Sequence, residues 1–353
     1  MLVNICGFGW SGSGAYLDLL REYDDVTFPT NQDWEFTFLW APDGLYDLEQ
    51  KICVKHCRVF DSDLAIRRFL SVAKIYGDKR GYFKYDNVFN SSFYDLCKHY
   101  VEKLVQFRVK GYTFAHRLHP TIMDNVVNQY NLLLKKLFLN RLSLRCYGNK
   151  LYNIFYSNNY KDMYVSYMPD DFSEVTQDFV SSLLQQVRTE TTKTLVLNQT
   201  LPPDVPHLFD HYFREEHKTI IIRRDPRDNF ILINELKRNP RPVPHKVEDF
   251  IVFYKKTIAD TILPNTEMML SLNYEDLIYN YDETVIRVEE FLGLKKHTRP
   301  FESFSPKISI NNTQLFKLYP EYESAIKKIE NSLKEYLYPF EKYKFERTSN
   351  KVF

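Results

Sequence analysis

The stretch from Val3 to Leu20 constrains the fold more than any other part of the chain. Leu2 to Cys6 is a short apolar run of the kind that forms a buried strand. It breaks into a turn dense in glycine and resumes with Tyr16, Leu17, Leu19 and Leu20 at helical spacing. Gly7, Gly9, Gly12 and Gly14 are four of the ten glycines in 353 residues, so the clustering is itself a signal. In a strand, a glycine loop and a helix in succession, backbone N–H groups and a helix N-terminus converge on an anionic group. Residues 7–14 are therefore expected to hold a phosphate or a sulfate, with an unliganded tight turn as the plainer alternative.

Two familiar loops fit in part. Gly7 and Gly12 open like a Walker A loop, but Ser13 and Gly14 stand where that motif needs Lys and Ser/Thr, which argues against nucleoside triphosphate hydrolysis. Gly7, Gly9 and Gly12 also fit the dinucleotide fingerprint, with Asp33 about 20 residues further on. That pattern alone would suggest a nicotinamide-dependent oxidoreductase.

Later segments bear on the choice. Lys218 to Arg223 is a second buried-strand pattern running into Arg224-Asp225-Pro226-Arg227-Asp228. Met268 to Tyr274 is another, followed by Glu275-Asp276-Leu277 and the helical Thr284 to Leu294, which closes on Phe291-Leu292-Gly293. With the glycine/serine loop, these blocks resemble the sulfotransferases that use 3′-phosphoadenosine 5′-phosphosulfate (PAPS), in the order of that family and across residues 2–294. The two later blocks have no place in an oxidoreductase reading.

The resemblance implies a set of roles. Gly9, Trp10, Ser11, Gly12, Ser13, Gly14 and Ala15 would cradle the 5′-phosphosulfate. Arg224 would hold the 3′-phosphate; its planar, paired donors suit phosphate. Leu232 stands at the position of the family's phosphate-binding serine, a departure that Asn229 or Asn234 could offset. Trp10 replaces the usual basic residue before Ser11, so a cation for the transferred group would have to come from Arg223 or Lys307. Lys307 and Ser309 would belong to a loop that closes over the nucleotide. Glu35, set between Trp34 and Phe36, resembles the catalytic glutamate of glycan sulfotransferases, and an apolar setting would raise its pKa toward that of a useful base. Asp33 is the reserve, and His116 or His119 would follow the family members that use a histidine.

The remaining segments are read in chain order. Val26 to Phe28 reads as a short strand, and Ala41-Pro42-Asp43-Gly44 as a turn. Leu64–Ile75, Phe93–Val109, Ile122–Leu144 and Phe172–Val187 show apolar residues at three- and four-residue spacing. They define a helical insertion over 47–190 that would form an acceptor-binding wall. Cys53, His56 and Cys57 lack the spacing and the second ligand pair of a zinc site, so no metal is expected. Arg108, Lys110, His116, Arg117 and His119 form a basic stretch that is either a solvated loop or a contact for an acidic acceptor. Thr194 to Leu197 is a further strand, with Asn198 and Gln199 at its ligand-facing end beside Trp34 as substrate-binding candidates. Tyr322 to Tyr338 reads as a terminal packing helix.

Composition limits the partners. Lysine plus arginine number 47 against 46 acidic residues, so no general basic field points to nucleic acid. There is no 18-residue apolar run, a strand pattern already begins at Leu2, and five cysteines make no disulfide framework. A cytoplasmic protein without a membrane anchor is expected. Abundant Lys, Asn, Tyr, Phe and Ile suggest an AT-rich, bacterial genome, and the 16% aromatic content suits both a large core and a sugar-binding cleft. The expected architecture is a single α/β domain over 1–353, a P-loop-type parallel sheet of four or five strands with helices on both faces plus the insertion. The expected function is sulfuryl transfer from PAPS to a hydroxyl of a carbohydrate. A non-catalytic nucleotide- or glycan-binding relative is the alternative.

Overall fold

The computed structural model describes residues 1–30, 34–54, 61–111, 161–190, 192–235, 243–259, 265–295 and 297–344, with isolated positions at 122, 125, 126, 129 and 133. The described strands are β1 (Leu2–Gly7), β2 (Val26–Thr27), β3 (Phe107–Gly111), β4 (Lys161–Val165), β5 (Thr194–Asn198), β6 (His217–Arg223) and β7 (Met269–Asn273). The described α-helices are α1 (Ser13–Arg21), α2 (Leu45–Ile52), α3 (Asp61–Gly77), α4 (Tyr85–Val88), α5 (Phe93–Leu104), α6 (Phe172–Gln185), α7 (Pro226–Glu235), α8 (Val247–Tyr254), α9 (Asp276–Tyr279), α10 (Tyr281–Leu292), α11 (Pro306–Ser309) and α12 (Glu323–Ser332). The chain divides into two compact units, residues 1–40 with 180–353, and residues 41–179. The second begins and ends a little before the bounds expected for the helical insertion.

The first unit is built on a five-stranded sheet in the order β2-β5-β1-β6-β7. Every pairing in it is parallel, with Leu2 opposite Leu195 on one side and His217 on the other. Parallel sheets covered on both faces read as continuous apolar runs, and these strands do. Val3, Ile5, Val196, Ile220, Ile222, Leu270 and Leu272 pack with Tyr16, Leu17 and Leu20 of α1 and with Val285, Val288 and Leu292 of α10. The alternate residues Leu2, Cys6, Leu195, Leu197 and Ile221 are buried on the other face. A separate cluster joins Phe230 to Ile233 of α7, Val247, Phe250 and Tyr254 of α8, and Ile326 and Ile329 of α12. The fold is thus a mixed α/β one, a five-stranded parallel sheet flanked by helices.

The second unit, taken by itself, carries an aromatic core in which Tyr85 meets Tyr76 and Phe93 edge-on, each at 4.9 Å between ring centres. Here the structure corrects a helix expectation. α5 stops at Leu104, and Phe107–Gly111 leaves it as β3, antiparallel to β4. The side chain of Gln106 fixes the change: its amide donates to Tyr167 O and accepts from Tyr167 N–H, at 3.2 and 2.9 Å. The Cys53–Cys57 pair and His56 are only part described, since 55–60 lie outside the described residues.

At the C-terminal end, α12 stops at Ser332 and gives way to a 3₁₀ turn at Lys334–Tyr336, short of the expected Tyr338. Tyr338 N–H instead donates to Asp225 Oδ2 at 2.8 Å, and Pro339 follows it. Among the described residues, no helix is long and apolar enough to cross a membrane.

Candidate functional site

The glycine loop leaves the end of β1 and enters α1 through Gly12, whose φ of 84° lies in the left-handed region. A side chain there is barred twice, because a Cβ would also fall 2.4 Å from Tyr274 Cδ2. A Cβ on Gly7 would fall 2.2 Å from Ser11 Oγ, so the loop turns back on its own strand. Ser11 N–H donates to Phe8 O at 2.9 Å, closing that turn. Gln199 braces it from the end of β5, accepting from Gly7 N–H at 3.3 Å and donating to Gly7 O at 3.2 Å. Trp10 and Gln199 themselves hold positive φ, 60° and 54°, an arrangement uncommon outside glycine and Asn/Asp.

A cleft of about 680 Å³ opens over this loop. All residues from Gly7 to Ala15 line it, joined by Glu35, Gln199, Arg224, Tyr274, Ser309 and Asn312. These come from the carboxyl ends of β2, β5, β6 and β7 and from the segment near α11, which is where open parallel sheets bind ligands. Asp18, Trp40, Pro202, Pro203, Asp204, Thr257 and Phe304 complete the lining.

Arg224 is the basic side chain that lines the cleft among the described residues. It is 4% exposed, lies 4.6 Å above the Tyr274 ring, and donates to Trp10 O at 3.4 Å and to Asn312 O. Its Nε is buried with no hydrogen-bond partner among the described residues, and so is Ser11 Oγ. Buried polar groups are normally satisfied, so two such orphans on residues that line one cleft are candidate ligand contacts. Tyr274 holds its position by donating to Ser309 O at 3.2 Å.

Beneath the cleft lies a buried charge cluster. Asp225 accepts from Arg227 Nη2 at 2.8 Å, and Arg227 also donates to Glu330 at 3.0 Å, so Arg227 is committed to ion pairs. Asp228 accepts from Gln314 N–H at 2.7 Å, and Glu275 accepts from Asp225 N–H at 3.0 Å. Burial pushes the Glu275 carboxyl up to about 8; Asp225 adds to the rise and Arg224 opposes it. Burial likewise raises Asp228, against the pull of Arg224. Desolvation disfavours the charged form in both.

The candidates from the sequence fall into distinct places. Gly9 to Ala15, Glu35, Gln199, Arg224 and Ser309 meet in the cleft. Leu232 is 1% exposed inside the α7–α8–α12 cluster and does not line it. Lys307 is exposed on α11 and Arg223 is half-buried at the end of β6, and neither is among the lining residues. The Trp10 ring packs against the cluster that holds Leu232, while its carbonyl faces Arg224. Trp34 and Asn198 share a much smaller hollow with Leu17, Phe28 and Val196. Glu35 has an exposed side chain, so the apolar enclosure expected of it is absent, although Phe36 beside it is buried. Asp33 and His116 lie outside the described residues. Among the described residues, no group of three or more His, Cys, Asp or Glu is arranged to hold a metal ion.

In the sequence Tyr274 and Asn312 stand out only as parts of longer blocks, and Asp204, Trp40 and Thr257 belong to no motif. For Tyr274 the available signal was its place at the end of an apolar strand. Trp40 and Asp204 sit in turns that carry no periodicity, Thr257 lies in a π-helical turn at Lys255–Ala259 that continues α8, and Asn312 ends a 3₁₀ turn at Ile310–Asn312.

No family model matches this chain, and no curated protein matches it. Among solved structures it is similar to the sulfotransferase domain of the Synechococcus PCC 7002 olefin synthase, at 11% identity and a TM-score of 0.36, over 86% of this chain and 78% of that one. It is also similar to retinol dehydratase in complex with androsterone and the inactive cofactor PAP, at 13% identity and a TM-score of 0.34, over 96% of this chain and 82% of that one. At these TM-scores neither likeness assigns an activity to the chain.

Proposed function

We propose that this protein transfers the sulfuryl group of PAPS to a hydroxyl of a carbohydrate acceptor. One observation carries the reading. The three sequence blocks that resemble the PAPS-dependent sulfotransferases, far apart in the chain, supply the loop, Arg224 and Tyr274 of a single cleft. Tyr274 touches both of the others, its ring lying against the Gly12 backbone and under the Arg224 guanidinium.

In this reading the loop N–H groups and Ser11 Oγ bond the 5′-phosphosulfate, and Arg224 bonds the 3′-phosphate. The acceptor hydroxyl oxygen attacks sulfur in line. The bond from sulfur to the bridging phosphate oxygen breaks, the hydroxyl proton passes to Glu35, and 3′-phosphoadenosine 5′-phosphate (PAP) leaves. As in phosphoryl transfer, positioning and electrostatic stabilisation supply most of the acceleration.

A second reading, a nucleotide-binding relative without activity, is favoured by one feature. Trp10 turns its ring to the core, and Arg224 alone among the described lining residues is basic. Thermal melts with PAP, ATP and NAD, followed by transfer assays with PAPS, separate these readings. Ligand at about 100 times its dissociation constant adds roughly 2.7 kcal/mol of stability. A rise in melting temperature specific to PAP, with sulfated product, supports the enzyme. The same rise with no product from a neutral, acidic and amine-bearing acceptor panel supports the binding protein. A rise with NAD alone overturns both.

A further inference from the structure

The order of the strands divides the cleft into two sides. The glycine loop follows the central β1. Arg224 and Tyr274 follow β6 and β7 on one side, and Glu35, Trp40, Pro202, Pro203 and Asp204 follow β2 and β5 on the other. Two hydrogen bonds tie the segment after β2 to the end of β5: Phe36 N–H donates to Asn198 O at 2.8 Å, and the Trp40 indole N–H donates to Gln199 O at 2.9 Å. That bond fixes an indole that is still 37% exposed. Among the described residues, the half-buried Asp204 makes no ion pair or hydrogen bond. Arg224, the one basic residue lining the cleft among the described residues, and the carboxylates of Glu35 and Asp204 thus lie on opposite sides of the loop, with Asp18 of α1 the third lining carboxylate. Ser11 Oγ and Arg224 Nε, on residues that line the cleft, are buried without a hydrogen-bond partner among the described residues, which supports reading the cleft as a ligand site.

We propose that the β2–β5 wall selects a cationic acceptor, a hydroxyl compound bearing a protonated amine, with Asp204 and the Trp40 face as its specificity determinants. This rests on the sulfuryl-transfer reading and deepens it. An ammonium group gains a charge-assisted hydrogen bond from a carboxylate and an attraction to an indole face. An acidic glycan would instead meet like charge on this wall, and like charges brought together across an interface are strongly unfavourable. The same asymmetry orients the anionic nucleotide toward Arg224 and leaves the acidic wall to the acceptor. The basic stretch at 108–119, read from sequence as either a solvated loop or a contact for an acidic acceptor, plays no part in this assignment.

The test uses the full chain. Calorimetry first measures PAP binding. With PAP bound, the affinities of p-nitrophenyl β-glucosaminide, its N-acetyl counterpart and p-nitrophenyl β-glucuronide are compared, and with PAPS their kcat/KM values. The expected result is a preference of about tenfold or more for the amine, the size of one modest charge interaction. Asp204→Asn should bring that preference within about threefold while PAP affinity is retained, and Trp40→Leu should weaken amine binding as well. Equal use of the three glycosides, preference for the glucuronide, or an undiminished preference in Asp204→Asn overturns this proposal with the donor reading intact. Absence of PAP binding in the unaltered protein overturns the donor reading and this proposal together.

Discussion

Gly12 and Tyr274 exclude one another: a Cβ on Gly12 would lie 2.4 Å from Tyr274 Cδ2 and 2.7 Å from Cγ. Cγ is held close to the backbone, and the ring is buried and tied to Ser309, so rotation offers little escape. The close approach lets a loop after β1 and a tyrosine after β7 share one cleft.

Gly12→Ala is therefore expected to destabilise the protein through two additive causes. The left-handed φ costs about 1–2 kcal/mol for a residue with a Cβ, and overpacking against the ring about 1–3 kcal/mol. Urea melts of Gly12→Ala, Tyr274→Leu and the double variant separate the two. The double variant should be more stable than the sum of the single losses predicts, because the smaller side chain relieves the clash. Simple additivity would mean that the ring does not set the requirement for glycine.

The buried cluster predicts a dependence of stability on pH. Asp225, Asp228 and Glu275 are at most 2% exposed, and Arg224 and Arg227 are the guanidiniums that face them. Glu275 is raised from its ordinary 4.5 to about 8, so between those values the folded state holds a proton that the unfolded chain has released. Its contribution is fully present below pH 4.5 and is lost as pH rises through about 8. One such proton gives a slope of up to about 1.4 kcal/mol per pH unit. Glu275→Gln imitates the protonated form and should remove this part of the slope, leaving the variant the more stable one above pH 8. Identical stability profiles for the two proteins from pH 5 to 9 would remove Glu275 as the source.

How much of this was legible in the sequence depended on whether a residue's role is local. Thr219 to Ile222 of β6 and Leu195 to Leu197 of β5 are apolar or β-branched almost throughout, because both faces of a central parallel strand are covered. The sequence of β3 looks like the end of a helix because Phe107, Arg108 and Val109 continue the spacing of α5, while the strand they pair with begins at Lys161. The glycine loop was legible because only glycine tolerates φ of 84° against a neighbouring ring. What that ring is, and that Gln199 braces the loop from β5, are facts about chain segments some 190 to 260 residues away. Leu232 was named from its place in a family pattern; its contacts put it among Phe230, Ile233 and Phe250.

Ser11 offers a separation of stability from binding. Its hydroxyl is buried without a partner among the described residues, so Ser11→Ala removes an unsatisfied polar atom and should leave stability equal or raise it by about 1 kcal/mol. If the hydroxyl bonds the phosphosulfate, the same change deletes a hydrogen bond to a charged group, worth about 1.5–3 kcal/mol. PAP affinity should then fall by about 10- to 100-fold, measured by calorimetry on a protein that melts no lower than the parent. A fall in both quantities would make Ser11 a packing residue.

Glu35 carries the proton in the proposed reaction, and its setting allows a clean test. Phe36 is buried and its N–H is bonded to Asn198 O, which anchors the backbone beside Glu35, while the Glu35 side chain stays exposed at the cleft. Exposed substitutions usually change stability by no more than about 0.5 kcal/mol. Glu35→Gln keeps the shape and removes the ability to accept a proton, so turnover should fall by about 10²–10⁴-fold. PAP affinity should be unchanged, because the 3′-phosphate and phosphosulfate are assigned to Arg224 and the loop. Steady-state kinetics with PAPS would distinguish this from the effect of Asp204, where the loss should appear in KM for an amine-bearing acceptor before it appears in kcat. If Glu35→Gln turns over at the parental rate, the proton goes elsewhere, and Asp204 is the other carboxylate on the same wall to examine.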